Sequence, residues 1–269
     1  MSRPRLVATD LDGTLVRADG SISAFTREVL ATLDRRGVPV VIVTARPLRW
    51  MDDLWPLVGS HAMAIVSNGA IWYDAHRHEV RRLQGLDAQA GLAVVAAIQA
   101  AVPGAAFAIE SLSGIKRDER FVEPSHVPEG SPVGVLAELW DEPAVKLMVR
   151  HEEMSDPASF RAAVLEAVGD AATTTWSGER LVEISASGVT KASTLALLCA
   201  ELGVEAADVV AFGDMPNDLP MLGWAGTSYA MANADPSVIA AADHIAPPHD
   251  DDGVAVTLAA IFELDDPPA

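Results

Sequence analysis

The sequence predicts an α/β protein with a doubly wound parallel sheet that is interrupted by an inserted α+β domain. Short apolar runs alternate with helical patterns in the first and last thirds of the chain, as expected for parallel strands joined by crossover helices. The strand candidates of the middle third are spaced irregularly, which favours an α+β insert. We therefore expect a discontinuous core domain of residues 1–80 and 186–269, with the insert at 81–185.

The first third of the chain shows this alternation most clearly. Its apolar runs are typical of short strands covered on both faces, and they lie at Leu6–Thr9, Val38–Thr44 and Met63–Ser67. A helix is predicted over Ser23–Arg36, where a serine begins the pattern and a glycine follows it. A second helix is predicted over Pro47–Val58. These elements form the βαβαβ half of a parallel sheet.

The remaining elements are predicted from the same periodicities. In the middle third we expect a hairpin over 71–83, helices at Leu86–Val102 and Pro157–Val168, and strands at Ala105–Glu110, Val145–Arg150 and Leu181–Ser185. In the last third we expect a strand at Val209–Phe212 and helices at Lys191–Leu202, Asp218–Trp224 and Val238–Ala242. Residues 116–142 show no clear pattern.

Composition excludes several classes of protein. The chain has 269 residues, of which 50% are hydrophobic, so it is not disordered. A net charge of −19 repels nucleic acid and anionic membrane surfaces, so we expect neither as a partner. No apolar run reaches the roughly 18 residues of a membrane span and the first residues lack a leader pattern, which favours a soluble, cytoplasmic protein. We expect a monomer or a homodimer, between which the sequence does not distinguish. The single cysteine, Cys199, lies in an apolar helical pattern and is expected in the core.

Polar side chains follow several predicted core strands at the point where each strand ends. Because ligands bind outside the carboxyl ends of parallel strands, we expect these side chains to converge although they are spread over some two hundred residues of sequence. They are Asp10 and Asp12, Thr44 and Arg46, Ser67, Asn68 and Gly69, and Asp214, Asn217 and Asp218.

The chemistry of this cluster points to a divalent cation. Three neighbouring aspartates, Asp10, Asp12 and Asp214, repel one another, and Mg²⁺ with its preference for carboxylate and carbonyl oxygens relieves the repulsion. Carboxylates with Mg²⁺ at strand ends suggest phosphoryl chemistry, in which an aspartate can act as nucleophile. Lys191 lies in the first turn of its helix, where a cation opposes the helix dipole unless it faces an anion held there.

Four motifs in order resemble those of the haloacid dehalogenase superfamily of phosphatases. They are "DLDGTL" at 10–15, Thr44, Lys191 and "GDMPND" at 213–218. The spacing resembles the Cof-type branch, subclass IIB, as do "SNGA" at 67–70 and "AMANA" at 230–234. The resemblance implies a Rossmann-like core and an inserted α+β cap, which would set substrate selectivity. The cap matches only in position and size.

The resemblance also implies roles for the catalytic and phosphate-binding residues. Asp10 would be the nucleophile that takes the phosphoryl group, and Asp12 would be the general acid and then the general base. Thr44, Lys191 and Asn217 would hold the phosphate.

A metal site is implied by the same motifs. Mg²⁺ would be bound by Asp10, by the backbone carbonyl of Asp12 and by Asp214, with Asp218 in support. No motif position departs from the family pattern, so the resemblance gives no sign of lost catalysis.

Substrate contacts are less determined by the sequence. Arg46, Asn68 and Gly69 are candidates for substrate binding, and a surface salt bridge is an equal alternative for Arg46. The insert segment "GIKRDERF" at 114–121 could meet an anionic substrate, but a solvated charged loop is favoured.

Taken together, these features predict a Mg²⁺-dependent phosphomonoester hydrolase that acts on a small phosphorylated metabolite, such as a sugar phosphate, through an aspartyl phosphate. A sugar phosphomutase and a sugar-phosphoglycerate phosphatase are alternatives on the same core. From other classes, a phospho-acceptor receiver and a non-catalytic binding protein remain open.

Overall fold

The computed structural model of the protein describes residues 3–122, 127–152, 154, 156–176 and 180–264. Its strands are β1 (Leu6–Thr9), β2 (Val40–Val43), β3 (Met63–Val66), β4 (Ile71–Asp74), β5 (Glu79–Leu83), β6 (Ala106–Ser111), β7 (Gly114–Arg117), β8 (Lys146–Arg150), β9 (Ala172–Thr175), β10 (Val182–Ala186), β11 (Val209–Gly213), β12 (Thr227–Met231) and β13 (His244–Ala246).

The α-helices are mostly two to four turns long. They are α1 (Ala24–Arg35), α2 (Ala88–Ala101), α3 (Leu136–Leu139), α4 (Pro157–Val168), α5 (Lys191–Leu202), α6 (Leu219–Trp224), α7 (Pro236–Ala241) and α8 (Gly253–Phe262). Within the described ranges, none of these helices has both the length and the apolar character that crossing a membrane requires.

The chain divides into two compact units. The core unit contains the chain up to Arg46, the segment Trp50–Arg82 and the chain from Thr190 onward. The second unit contains Pro47–Arg49 and Leu83–Val189.

The core unit is built on one sheet of strand order β13-β12-β11-β1-β2-β3-β4-β5. The strands from β13 to β3 pair in parallel, and β4 returns antiparallel to β3. Every residue of β1, β2 and β11 is buried, which explains why their sequences are continuous apolar runs rather than alternating ones. The α/β class predicted from the sequence is therefore confirmed, and β12 and β13 extend the sheet beyond the predicted strands.

The second unit is an antiparallel α+β layer, as its irregular strand spacing predicted. Its five strands have the order β7-β6-β8-β10-β9, and each neighbouring pair in this order runs antiparallel. One face of this sheet packs on α2 and α4 through a cluster that includes Phe107, Leu147, Ile184, Ile98 and Phe160. That cluster gives the unit a hydrophobic core of its own.

Two local predictions from the sequence are wrong. Residues 47–58 do not form an α-helix but two 3₁₀ segments, Leu48–Trp50 and Asp52–Leu57. Pro56 explains part of this, because proline supplies no backbone N–H for an α-helical hydrogen bond. Segment 114–121 is not simply a solvated loop either, since Lys116 is 7% exposed and pairs with Asp141 and Glu142.

Helix α5 owes its position to strong signals at both ends. The Thr190 hydroxyl accepts from the Ser193 N–H while the Ser193 hydroxyl accepts from the Thr190 N–H, which forms a reciprocal capping box. Gly203 ends the helix in the left-handed conformation. The cap fixes Lys191 as the first helical residue. Cys199 is buried in the same helix, as expected, and burial raises the pKa of its thiol to about 11.

Asp252 ties three segments of the core unit together. Its carboxylate accepts from Nε and Nη2 of Arg17 at 3.1 and 2.7 Å, and from the Thr26 hydroxyl at 3.2 Å. Burial raises the pKa of Asp252, but the hydrogen bonds from Arg17 and Thr26 outweigh it and hold that pKa below its ordinary value. Asp252 therefore stabilises the fold in its ionised form.

We expect Asp252→Asn to lower the thermal unfolding midpoint at pH 7 by about 2–4 °C. Asparagine keeps the side-chain shape and tolerates the φ of 56° at this position. The change removes the negative charge and one of the two oxygens that accept from Arg17, much as protonation of the aspartate would. A depressed pKa stabilises the fold above the ordinary carboxyl pKa, and this contribution is lost as the pH falls through the folded value. The difference from wild type should therefore narrow below about pH 4.

Thermal unfolding at pH 7 and at acidic pH checks this expectation. Asp53→Asn, at an exposed aspartate, is the matched control and should behave like wild type at both. An Asp252→Asn deficit that does not change with pH would contradict the electrostatic explanation.

Candidate active site

Strand order alone brings the predicted site residues to one edge of the core sheet. β1 lies between β2 and β11, and its last residue, Thr9, is in register with Ile42 and Phe212. The chain segments that leave these three strands are therefore neighbours. They carry Asp10 and Asp12, Thr44 and Arg46, and Asp214, Asn217 and Asp218.

Three carboxylates are buried together at this edge. Asp10, Asp214 and Asp218 each place a carboxylate oxygen within 4.8 Å of the other two, and their exposed fractions are 5%, 7% and 0%. Burial, and then the neighbouring carboxylates, raise the pKa of Asp214 to about 7. Burial also raises the pKa of Asp10 well above its ordinary value, although Lys191 opposes the effect. The cluster is therefore costly to ionise fully.

Lys191 provides the positive charge inside the cluster. Its Nζ lies 2.8 Å from Asp10 Oδ1 and 2.6 Å from Asp218 Oδ1, and its side chain is fully buried. Burial disfavours the charged ammonium, but Asp10 and Asp218 outweigh it and hold the pKa of Lys191 above its ordinary value. At the start of α5, Lys191 therefore faces anionic groups, as its unfavourable position in the helix dipole predicted.

The donor set fits a hard divalent cation. One lysine balances one of three carboxylates, so the ionised cluster keeps a net negative charge. Carboxylate oxygens grouped within a few ångströms are the ligands that Mg²⁺ and Ca²⁺ take in proteins. Asp10 and Asp214 are the residues best placed to hold such an ion.

Asp218 acts chiefly through its neighbours. Its Oδ1 accepts from Lys191, and its Oδ2 accepts from the backbone N–H groups of Asp214 and Met215, each at 3.1 Å. Both oxygens are thus engaged by protein donors. Asp218 therefore fixes the Lys191 ammonium and the backbone that carries Asp214, and it supports the other two carboxylates in this way.

Asp12 has a different environment from Asp10 although only one residue separates them. Its side chain is 58% exposed, whereas that of Asp10 is 7% exposed. Arg46 binds the Asp12 carboxylate with two nitrogens, Nε at 2.8 Å and Nη2 at 2.5 Å. The salt bridge considered for Arg46 therefore exists, and its partner is the other candidate catalytic carboxylate. Two carboxylates in unlike environments suit two chemical roles.

Gly13 and Thr14 fit the loop after β1 against Asp214. Gly13 has φ of 75°, and a Cβ added there would lie 2.2 Å from Asp214 Oδ2. The Thr14 hydroxyl donates to Asp214 Oδ1 at 2.9 Å. The position of the Asp214 carboxylate therefore depends directly on this loop.

The phosphate-binding candidates from the second and fourth motifs lie at the same edge. Thr44 is fully buried, and its hydroxyl oxygen accepts from the Arg46 N–H at 3.1 Å, which leaves the hydroxyl proton for another acceptor. Asn217 is buried and donates from Nδ2 to Asn68 Oδ1 at 3.0 Å. Thr44 and Asn217 thus present polar atoms from two different strand ends.

Asn68 and Gly69 belong to a turn that packs on the start of α5. Asn68 adopts φ of 55°, which is uncommon for a residue other than glycine. A Cβ on Gly69 would lie 2.2 Å from the Thr190 carbonyl oxygen, and the Gly69 carbonyl accepts from the Thr194 hydroxyl at 2.6 Å. Gly69 therefore allows the close approach of α5, the helix that carries Lys191.

Asn233 contacts the loop after β1, although the sequence did not predict it as a site residue. Asn233 lies in the segment "AMANA" and donates from Nδ2 to the Gly13 carbonyl oxygen at 2.8 Å. The motif was visible in the sequence, but its contact with a residue 220 positions away was not.

Comparison with known proteins gives the family. A model of the haloacid dehalogenase-like hydrolases matches residues 7–258, which is most of the chain. The chain belongs to this family. Its relatives are phosphatases, and the protein is an enzyme of this class. The family resemblance that its four motifs indicated is confirmed.

The relatives match over nearly their whole lengths. The HMP-PP phosphatase of Enterobacter sp. (strain 638) is 28% identical, with 90% of this chain and 89% of that protein covered. The 5-amino-6-(5-phospho-D-ribitylamino)uracil phosphatase YitU of Bacillus subtilis (strain 168) is also 28% identical, with 98% and 99% covered. The solved structure of BT1666 from Bacteroides thetaiotaomicron has a TM-score of 0.82 at 22% identity. The match covers 96% of this chain and 95% of that chain, and it supports the fold.

We expect Gly13→Ala to lower the phosphatase activity by about tenfold or more, because the methyl group displaces the Asp214 carboxylate. Gly20→Ala is the matched control. Gly20 has φ of 81° but an added Cβ meets nothing within 4 Å, so this change adds only backbone strain of about 1–2 kcal/mol.

Phosphate release from an aryl phosphate and the thermal midpoint should be measured for both variants. Similar midpoints with activity lost only in Gly13→Ala are expected. Equal activities would show that the contact between Gly13 and Asp214 does not matter for the reaction.

Proposed function

We propose that the protein is a Mg²⁺-dependent phosphomonoester hydrolase that acts on small phosphorylated metabolites, sugar phosphates among them, through an aspartyl phosphate on Asp10. The observation that carries this proposal is the buried group of three carboxylates around one lysine, with a fourth carboxylate outside it. Such a group has an uncompensated negative charge that would attract a metal ion, and an ammonium group that would bind a phosphate.

Asp10 and Asp12 divide the chemistry. An Asp10 oxygen forms a bond to phosphorus while the bond from phosphorus to the leaving oxygen breaks, and protonated Asp12 gives its proton to that oxygen. Water then attacks the same phosphorus, Asp12 takes a proton from the water, and Asp10 is released as a carboxylate. Bound Mg²⁺ would supply positive charge for the phosphate oxygens.

Phosphate would be held by groups that converge from separate strand ends. The Lys191 ammonium and the Thr44 hydroxyl are donors at this edge, and the Asn217 amide is a third. Arg46 pairs with Asp12 in this structure, and an incoming phosphate offers it a second anion. Exchange of Arg46 from Asp12 to phosphate would leave Asp12 able to handle protons.

The substrate class is inferred from the relatives and from charge. Two relatives are phosphatases named for small phosphorylated molecules, one of which carries a phosphoribityl group. The chain has a net charge of −19, so an anionic substrate depends on local cations such as Lys191 and Arg46. We assign catalysis to the core domain, residues 1–80 and 186–269, and substrate selectivity to a cap at 81–185.

The test is phosphate release from 4-nitrophenyl phosphate with Mg²⁺, with EDTA, and with Asp10→Asn. We expect activity that requires Mg²⁺ and falls by about 10³-fold or more in Asp10→Asn, since the nucleophile is lost. Asp53→Asn, which removes an exposed carboxylate elsewhere in the core unit, controls for net charge and should remain active.

Three results would contradict the proposal. Full activity in EDTA would exclude the metal requirement, and retained activity in Asp10→Asn would exclude the nucleophile. Stable phosphorylation without turnover would instead favour a phospho-acceptor receiver.

A further inference from the structure

We propose that Asn233 is a positioning residue for the metal site, which fixes the loop after β1 and thereby the Asp214 carboxylate. The inference rests on the proposed function, because it concerns the Mg²⁺ that this function requires. It predicts that loss of the Asn233 amide weakens cation binding without unfolding the protein.

The Asn233 amide makes one hydrogen bond to each of two loops. Its Nδ2 donates to the Gly13 carbonyl oxygen at 2.8 Å, and its Oδ1 accepts from the His249 backbone N–H at 3.0 Å. Reversing the amide would set oxygen against oxygen and N–H against N–H, so the two partners determine its orientation. The Gly13 carbonyl is thus held by a donor that cannot rotate away without losing both bonds.

The same turn also holds the backbone of the fourth motif. Asp235, two residues after Asn233, donates its backbone N–H to the Asp214 carbonyl oxygen at 2.8 Å. The turn between β12 and α7 therefore contacts the loop after β1 and the loop after β11 at once. It sets the distance between the two segments that carry the candidate metal ligands.

A shift of Gly13 would be transmitted to Asp214 because there is no space between them. An added Cβ on Gly13 would lie 2.2 Å from Asp214 Oδ2, and the next residue, Thr14, donates to Asp214 Oδ1 at 2.9 Å. The position of the Asp214 carboxylate therefore depends on the loop that Asn233 holds.

Asn233 is poorly placed to contribute much to stability. Its side chain is exposed, and its two hydrogen bonds join surface loops rather than core elements. Hydrogen bonds at exposed positions exchange with water at little net cost to folding. The effect of removing the amide should therefore fall on the geometry of the metal site.

The test compares Mg²⁺ binding to chelator-treated wild type, Asn233→Ala and Asn233→Asp by titration calorimetry, with thermal midpoints measured without metal. Ser237→Ala is the matched control, because Ser237 is exposed on the same segment and its hydroxyl donates to the neighbouring Asp235 carboxylate rather than to Gly13 or His249. Asn233→Asp keeps the acceptor for His249 and replaces the donor to Gly13 with an oxygen.

We expect both Asn233 variants to bind Mg²⁺ about tenfold more weakly than wild type, with thermal midpoints close to it. The aspartate variant is decisive, since an added negative charge alone would tighten cation binding. Unchanged or tighter binding in either variant, or equal weakening in Ser237→Ala, would overturn the inference. Wild type that binds no Mg²⁺ would overturn the metal requirement of the proposed function and this inference with it.

Discussion

The site depends on the burial of three carboxylates around a single ammonium. Asp10, Asp214 and Asp218 are each at least nine-tenths buried, and Lys191 contacts two of them. Buried like charges are unfavourable unless they are paired, hydrogen-bonded or bound to a cation. The raised pKa of Asp214, about 7, expresses that unfavourable state. A divalent cation bound here would favour the ionised form, and its binding would then release protons.

The surrounding backbone holds these charged side chains in place. The parallel order of β1, β2 and β11 brings their carboxyl ends together, and the capping box of α5 fixes Lys191 at its first turn. Gly13 permits contact with Asp214 that no other residue would allow without displacement. Rigid elements thus carry the charged groups, while close packing of short loops sets their final positions.

The sequence predicted the positions of several site residues but not the contacts that hold these residues in place. Asp10, Thr44 and Asp214 could be placed because each follows a continuous apolar strand, and strand ends converge in any parallel sheet. Two contacts could not be predicted, because neither produces a periodic pattern in the sequence. They are the salt bridge of Arg46 with Asp12 and the hydrogen bond from Asn233 to Gly13. Helix prediction failed at 47–58 for a local reason, since apolar spacing there suits a helix while Pro56 removes a donor.

The measurement that tests the central claim most directly is chemical trapping of the phosphorylated aspartate. Asp12→Ala should be acid-quenched during turnover of 4-nitrophenyl phosphate, whose leaving group needs little protonation, so that loss of the general base slows mainly hydrolysis of the intermediate. Borohydride reduces an acyl phosphate to an alcohol, which converts the aspartate to homoserine. We predict substrate-dependent conversion of Asp10, read by peptide mass. Absence of conversion, or conversion at Asp214 instead, would contradict the assignment of Asp10 as the nucleophile.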